Sequence, residues 1–258
     1  MASVFTTEIA SDSIASDNPI HQRLLKAYVL AADYVHGDLL EVGCGEGRGI
    51  NWLLPKVNSF AAIDKIDTII EVLRNQFPNV KFTSDFIPPL RAYADNSFDW
   101  VVSFQVIEHI QEDGFFLKEI HRVLKPGGRA LLTTPNRPMS LSRNPWHIRE
   151  YTAEELTQLA KKYFSHVSMK GITGNEKVMQ YYEQNKQSVN RLMRWDVFNL
   201  QYKLPASILR IPYELLNRLN RNKLKGGASE LVQSIQHQDY LLAEDASTAL
   251  DLFLEVRK

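Results

Sequence analysis

At 258 residues the chain can bury a sizeable core as one domain, or as one domain carrying an insertion. Thirty Lys and Arg balance thirty Asp and Glu, so the chain as a whole has no long-range field to favour a nucleic acid or another charged polymer. A single cysteine, Cys44, excludes an internal disulfide, and no apolar run reaches the roughly eighteen residues of a membrane span or the length of a signal peptide, so a cytoplasmic protein is expected.

After a polar start, Asn18 stands where it can cap a helix with Pro19 at its first position, and "IHQRLLKAYVLAADYV" has helical apolar spacing up to Gly37. The run "GDLLEV" then reads as a short buried strand, and "RGINWLLPKV" as a helix that stops at Pro55. Between them Gly43, Gly45, Gly47 and Gly49 fall within seven positions. Ordered glycine is costly, so this loop must turn sharply or let a ligand approach its backbone. The dinucleotide fingerprint G-x-G-x-x-G requires glycine at position 48, where Arg48 stands, and no Lys-Ser or Lys-Thr follows to make a phosphate-binding P-loop.

Strand and helix patterns then alternate: "SFAAID", the helix "TIIEVLRNQF" with Asp67 as its N-cap, "VKFTSD", a turn at Asp95, Asn96 and Ser97, "FDWVVSFQ", the helix "EDGFFLKEIHRVL", a "KPGG" turn and "RALLTTP". The helix "TAEELTQLAKKYF" opens with Thr152 and Glu155 as a capping box, and the strands "HVSMKGIT" and "STALDLFLEVRK" follow, the last entering antiparallel. Such alternation predicts a parallel sheet with helices on both faces. Residues 175–236 break the rhythm with helical patterns and carry ten Lys and Arg against five acids. The expected organisation is a helical segment over 1–36, a core over 37–174, a helical cap over 175–236 and a final strand region over 237–258.

Four stretches, "LLEVGCGEGRG", "AAIDKID", "SDFIPPLRAYADNSFDWVVSFQVIEHI" and "FLKEIHRVLKPGGRALLTTPN", together resemble the class I S-adenosylmethionine-dependent methyltransferases, in particular the small-molecule group with ubiquinone and menaquinone methyltransferase relatives. The resemblance implies a Rossmann-like α/β fold: a mostly parallel seven-stranded sheet with an antiparallel last strand, helices on both faces and a helical insert before that strand. It implies S-adenosyl-L-methionine as cofactor and S-adenosyl-L-homocysteine as product, with the Gly43, Gly45 and Gly47 loop as a low wall beside the methionyl and ribose parts. Glu41 matches the acid that supports the cofactor's ammonium. Asp64, twenty-one residues beyond Gly43, ends the second strand where an open sheet places a carboxylate over ribose hydroxyls. Asp85 resembles the acid that accepts from the adenine amino group, Phe86 lies beside the ring, and Gln105 reaches the cofactor edge.

For the acceptor, the loop "TPNRPMSLSRNPWHIREYTAEEL" brings Trp146, His147, Arg149 and Tyr151 together, with the two rings offered as faces for a planar or sugar-like substrate. His147 is the first candidate base and His109 the second; the competing account of His147 is a loop anchor held with Arg149 and Glu150. No metal ligand set is expected. The function expected is methyl transfer to a small acceptor, anionic or sugar-like, most naturally at oxygen, with no nucleic-acid partner. An NAD-dependent oxidoreductase of related fold and a noncatalytic S-adenosylmethionine-binding module stand as alternatives.

Overall fold

The computed structural model describes residues 15–194, 196, 199–227 and 229–258, so the polar start over residues 1–14 lies outside the described residues. In chain order it gives α1 (Asn18–Ala31), β1 (Asp38–Val42), α2 (Ile50–Leu53), β2 (Ser59–Asp64), α3 (Asp67–Gln76), β3 (Val80–Ser84), β4 (Phe98–Phe104), α4 (Asp113–Val123) and β5 (Leu124–Pro135). There follow α5 (Ala153–Ala160), β6 (His166–Gly174), α6 (Glu176–Met193), α7 (Leu200–Lys203), α8 (Ala206–Gly227), α9 (Ser229–Ser234), β7 (Tyr240–Ala243) and β8 (Asp251–Arg257).

The strands form one sheet in the order β3-β2-β1-β4-β5-β8-β6-β7. The first five pair in parallel, and β8 runs antiparallel to both β5 and β6. All seven expected strands are present, with the last antiparallel. The additional edge strand β7 has four residues, too few to write a period-two pattern into the sequence. Alternate residues of β1 feed the two faces: Leu39 joins Ala31, Leu53 and Leu73 in one core, while Leu40 and Val42 join Phe116, Leu117 and Ile120 in the other. A strand covered on both sides must be apolar throughout, which is why "LLEV" shows no alternation.

Three local expectations differ. Asp17, not Asn18, precedes α1, and the Asn18 side chain instead donates to the carbonyls of Val232 and Ile235 at 2.8 and 2.9 Å. Asp67 is the first residue of α3 rather than its cap, where its charge still faces the positive end of the helix. The "KPGG" segment lies inside β5, at an irregularity in its pairing with β4, with Gly127 at φ +78°. The capping box of α5 is formed: Thr152 Oγ1 accepts from the Glu155 amide at 3.2 Å and the Glu155 carboxylate from the Thr152 amide at 3.0 Å.

From β1 the chain winds outward to β3, then returns across β1 to β4, so the loops leaving β1 and β4 diverge and open a crevice at the carboxyl ends of the strands. At the opposite ends Asp99 accepts from the Asp38 amide and from Lys125, both at 2.8 Å, a purely structural tie.

The loop after β3 is held against α4 by two side chains, Arg122 and Glu119, the latter accepting from the Leu90 amide at 2.8 Å. Arg122 donates to Glu119 at 2.8 and 2.9 Å, to Asp95 at 2.8 Å, and to the carbonyls of Leu90 and Tyr93 at 2.9 Å each. Arg122→Met keeps the aliphatic stem and strands those acceptors, and should cost on the order of 2 to 3 kcal/mol in urea unfolding. An unchanged midpoint would mean that the cluster is worth no more than an exposed ion pair.

Candidate active site

A cleft of about 350 Å3 occupies the crevice, walled by the glycine loop, the ends of β2 and β4, Phe86 and Ile87, and by Leu24 and Tyr28 of α1. The four glycines serve two purposes. Gly43 (φ +82°), Gly45 (φ +49°) and Gly47 (φ +74°) hold left-handed backbone, and a Cβ on Gly43 would also come within 2.4 Å of Val106. Gly45 faces open space, the room of the cleft itself. Gly49 has no such backbone; there a Cβ would come within 1.7 Å of the Tyr28 ring, so its bareness lets α1 pack against the loop.

Asp64 lies on the cleft wall with each carboxylate oxygen holding a backbone amide: Oδ2 accepts from Gly45 at 2.8 Å and Oδ1 from Ile66 at 3.1 Å. Glu41 lies below the loop, 1% exposed, where Oε1 accepts from the Tyr28 hydroxyl at 2.7 Å. Its Oε2 is buried and has no hydrogen-bond partner among the described residues. Burial pushes its pKa up to about 8, the Tyr28 hydrogen bond opposing. Phe86 is 75% exposed and lines the cleft; Asp85 beside it does not, and its Oδ1 accepts from the Phe86 amide at 2.8 Å. Cys44 is buried, and burial raises its thiol pKa, as suits a packed side chain.

Gln105 holds left-handed backbone at φ +59°, an uncommon conformation for such a residue, fixed by its amide donating to the Thr133 carbonyl at 2.8 Å. That turn places it, with His109 and Leu24, on the boundary between the cleft and a second cavity of about 260 Å3. The second cavity reaches from α1 to α6 and α8, and its walls include Arg23, Glu108, His147, Glu150 and Tyr181.

The two histidines stand edge to face, ring centroids 4.9 Å apart. His109 Nδ1 meets the Trp146 carbonyl at 2.9 Å; a carbonyl only accepts, so the proton of the neutral ring is on Nδ1 and the basic lone pair on Nε2. His147 is committed at both nitrogens, Nδ1 to Glu150 at 2.6 Å and Nε2 to the Asn144 side-chain nitrogen at 2.8 Å. The amide orientation is fixed because Asn144 Oδ1 accepts from the Trp146 amide at 3.0 Å. Burial pushes Glu150 up, but hydrogen bonds from His147 and Ser140 outweigh it and leave the carboxyl below its ordinary range. Glu108 is 1% exposed, accepts from Thr134 at 2.9 Å, and burial lifts it to about 7. Glu108, His109 and His147 offer ligand-capable atoms within 4.8 Å of one another, but His147 Nε2 is already occupied by Asn144.

The expected ring faces are used elsewhere. Tyr151 is 4% exposed and donates to Asp113, which also binds Arg149, and Trp146 lies under the Arg210 guanidinium at 4.1 Å. The aromatic walls come instead from Tyr181, Tyr182, Tyr213 and Tyr240. These and Arg23 left no motif in the sequence, since they are brought together from distant elements.

Residues 40–132 match the family model described as "Methyltransferase domain". The chain is 36% identical over 160 residues to a protein of Mycolicibacterium smegmatis named "Probable S-adenosylmethionine-dependent methyltransferase", covering 60% of this chain and 62% of that protein. It is 27% identical over 124 residues to a ubiquinone biosynthesis O-methyltransferase of Xanthomonas oryzae, covering 46% of this chain and 51% of that protein. The chain thus spans about three fifths or less of the length of these curated relatives. Among solved structures, an S-adenosylmethionine-dependent methyltransferase of Thermotoga maritima matches with a TM-score of 0.58 at 14% identity, over 93% of this chain and 91% of that one. The cyclase SpnF matches at 0.53 and 17% identity, over 92% and 81%, which shows that the fold alone does not choose the reaction. The fold is that of the class I methyltransferases. Within it, residues 40–132 match a methyltransferase domain, and the chain is similar to relatives named for S-adenosylmethionine-dependent methyl transfer.

The cleft fits that cofactor: an orphaned carboxylate oxygen lies under the glycine loop, a carboxylate stands on the wall, and an exposed ring flanks them. Folded-state pKa values of about 8 for Glu41 and about 7 for Glu108 stand above the ordinary 4.5. Each therefore contributes stability that is complete below about pH 4.5 and is lost as pH rises through the folded value. Glu41→Gln and Glu108→Gln lack this loss, so their thermal midpoints relative to the parent should climb between about pH 5 and pH 8. A difference flat in pH would show that both carboxyls ionise normally.

Proposed function

We propose that this chain transfers the methyl of S-adenosylmethionine to a hydroxyl of a small, polar, uncharged acceptor held in the second cavity. The observation that carries this reading is the shared boundary at Leu24, Gln105 and His109, which joins the cofactor cleft to a polar chamber. Oxygen as the methylated atom draws support from the ubiquinone biosynthesis O-methyltransferase relative and from the histidine at the boundary. An anionic acceptor is disfavoured because both cavity arginines are matched, Arg23 by Asp251 at 3.2 Å and Arg221 by Asp17 at 3.1 Å. Amides and phenols dominate what is left, as a hydroxyl-rich acceptor requires. Residues 175–236 are read as the cap that supplies much of this wall.

The bound cofactor supplies a methyl on a sulfonium, a leaving group that needs no acid from the protein. Asp64 keeps lone pairs for the ribose hydroxyls while holding Gly45 and Ile66. Glu41, whose Oε2 has no hydrogen-bond partner among the described residues, would accept from the ammonium, directly or through water. Phe86, which lines the cleft, would cover the adenine, and Asp85 beside it, outside the cleft lining, would accept from its amino group. Gln105 and Leu24 keep the two chambers in register, so that acceptor oxygen and methyl meet in line with water excluded. His109, which lies on the boundary with the cofactor cleft where His147 does not, takes the hydroxyl proton. His147 would have to break its bond with Asn144 to serve as base, so it positions the His109 ring instead.

Release of S-adenosylhomocysteine in a screen of neutral polyhydroxylated and phenolic acceptors tests the whole reading; turnover confined to anionic acceptors would reject the acceptor class. Asp64→Ala should cost on the order of 2 to 4 kcal/mol of cofactor binding by calorimetry, and unchanged affinity rejects the ribose assignment.

His109→Gln should lower kcat by roughly a hundredfold to ten-thousandfold with cofactor affinity kept, and the parent rate should rise with pH as the imidazole loses its proton. His147→Gln should cost less in kcat and more in thermal midpoint. The reverse ranking would return the base to His147.

A further inference from the structure

We infer that the outward face of α8 lies on an anionic lipid bilayer. Ile208, Ile211, Leu215 and Leu219 recur at spacings of three and four and form one stripe, 58, 78, 61 and 57% exposed. The other side of the same helix is occupied: Tyr213, Asn217 and Asn220 wall the acceptor cavity, and Arg210 stacks on Trp146. In α7, shortly before it in the chain, Leu200 and Tyr202 are also exposed, at 44 and 65%.

Charge selects the occupant. Residues 175–236 carry ten cations against five acids in a chain whose net charge is zero, so the rest of the chain is acidic by the same margin. Arg191, Arg194 and Lys203, within this basic region, are exposed. A cationic end on an acidic body turns toward an anionic surface. A second copy docked through the same stripe would bring two such basic regions together, which repels. No helix among the described residues is long and apolar enough to cross a membrane, so α8 would lie in the interface plane with its stripe in the headgroup region. If the methyl-transfer reading also holds, the acceptor cavity stands one helix diameter, about 10 Å, from the lipid, and a hydroxylated headgroup of an amphiphile is the acceptor it fits.

Flotation of the full chain with vesicles tests the docking without cofactor or acceptor, so its failure is separable from failure of the methyl-transfer reading. With phosphatidylcholine vesicles containing about one third phosphatidylglycerol the protein should float; with phosphatidylcholine alone it should float far less, and about 0.5 M salt should release it. Ile211→Ser/Leu215→Ser/Leu219→Ser should weaken binding by about tenfold or more while circular dichroism is unchanged. Arg191→Glu/Lys203→Glu, which leaves the stripe intact, should remove the preference for anionic lipid. A parent that does not float with the anionic vesicles, or a triple variant that floats as well as the parent, overturns the proposal. So does a dimer dispersed by the triple substitution in a protein that binds no vesicle, which would give the face to a second copy.

Discussion

The Asp64 carboxylate ties together the loops that leave the paired strands β1 and β2. Gly45 follows β1 and Ile66 follows β2, and both donate their amides to this one side chain. The glycine loop can therefore be bare and still have a fixed shape, because its conformation is set from outside by a charge-assisted hydrogen bond rather than by its own side chains. Tyr28 supports it from below, filling the space against Gly49 and fixing Glu41 with its hydroxyl. The cleft is thus a consequence of backbone anchoring at a sheet switch point.

The second cavity depends on a different set of ties, the first group of them between the amino-terminal segment and residues 175–240. Asp17, fully buried, accepts from Arg218 and Arg221; Asn18 accepts none of the cap role but holds the carbonyls of Val232 and Ile235; Tyr240 donates to the Pro19 carbonyl at 2.6 Å. Removing one member of a buried ion pair leaves an uncompensated charge, so the helices are held in place specifically rather than by apolar contact alone. Across the chamber, Arg143 donates to the carbonyls of Gln201 and Leu204, and Tyr182 to that of Met139, joining the loop after β5 to α6 and α7.

Seven strands of the sheet were legible because each announces itself locally, by apolar runs between glycine, proline and acidic breaks, while the four-residue β7 does not. The glycine loop was legible for the same reason: its residues are neighbours in sequence. Boundaries were less so. Asn18 and Asp67 have the chemistry of helix caps, yet the side chain of the first is recruited by α9, more than two hundred residues away, and the second sits one residue inside its helix. The acceptor chamber was the least legible part, since Arg23, Tyr181, Tyr213 and Tyr240 come from four elements and meet only in three dimensions. Trp146 and Tyr151 were misleading because composition cannot say whether a ring faces a cavity or a core.

The histidine pair shows why residue type alone could not assign the base. Both rings line the second cavity, and both send Nδ1 to an acceptor oxygen, one to a carbonyl and one to a carboxylate. On His147 the Asn144 amide, whose orientation is itself set by the Trp146 amide, takes the Nε2 lone pair, while His109 alone of the two also lines the glycine-loop cleft. Trp146 also supplies the carbonyl that orients His109, so one stretch of loop orders both rings at once. The loop is in turn fixed at its end by the Glu108 carbonyl, which accepts from the Ile148 amide at 2.8 Å. Glu108 and His109 are adjacent in the chain, so the segment after β4 and the loop after β5 hold each other, and the hydrogen-bond geometry of the pair is a property of that junction rather than of either histidine alone.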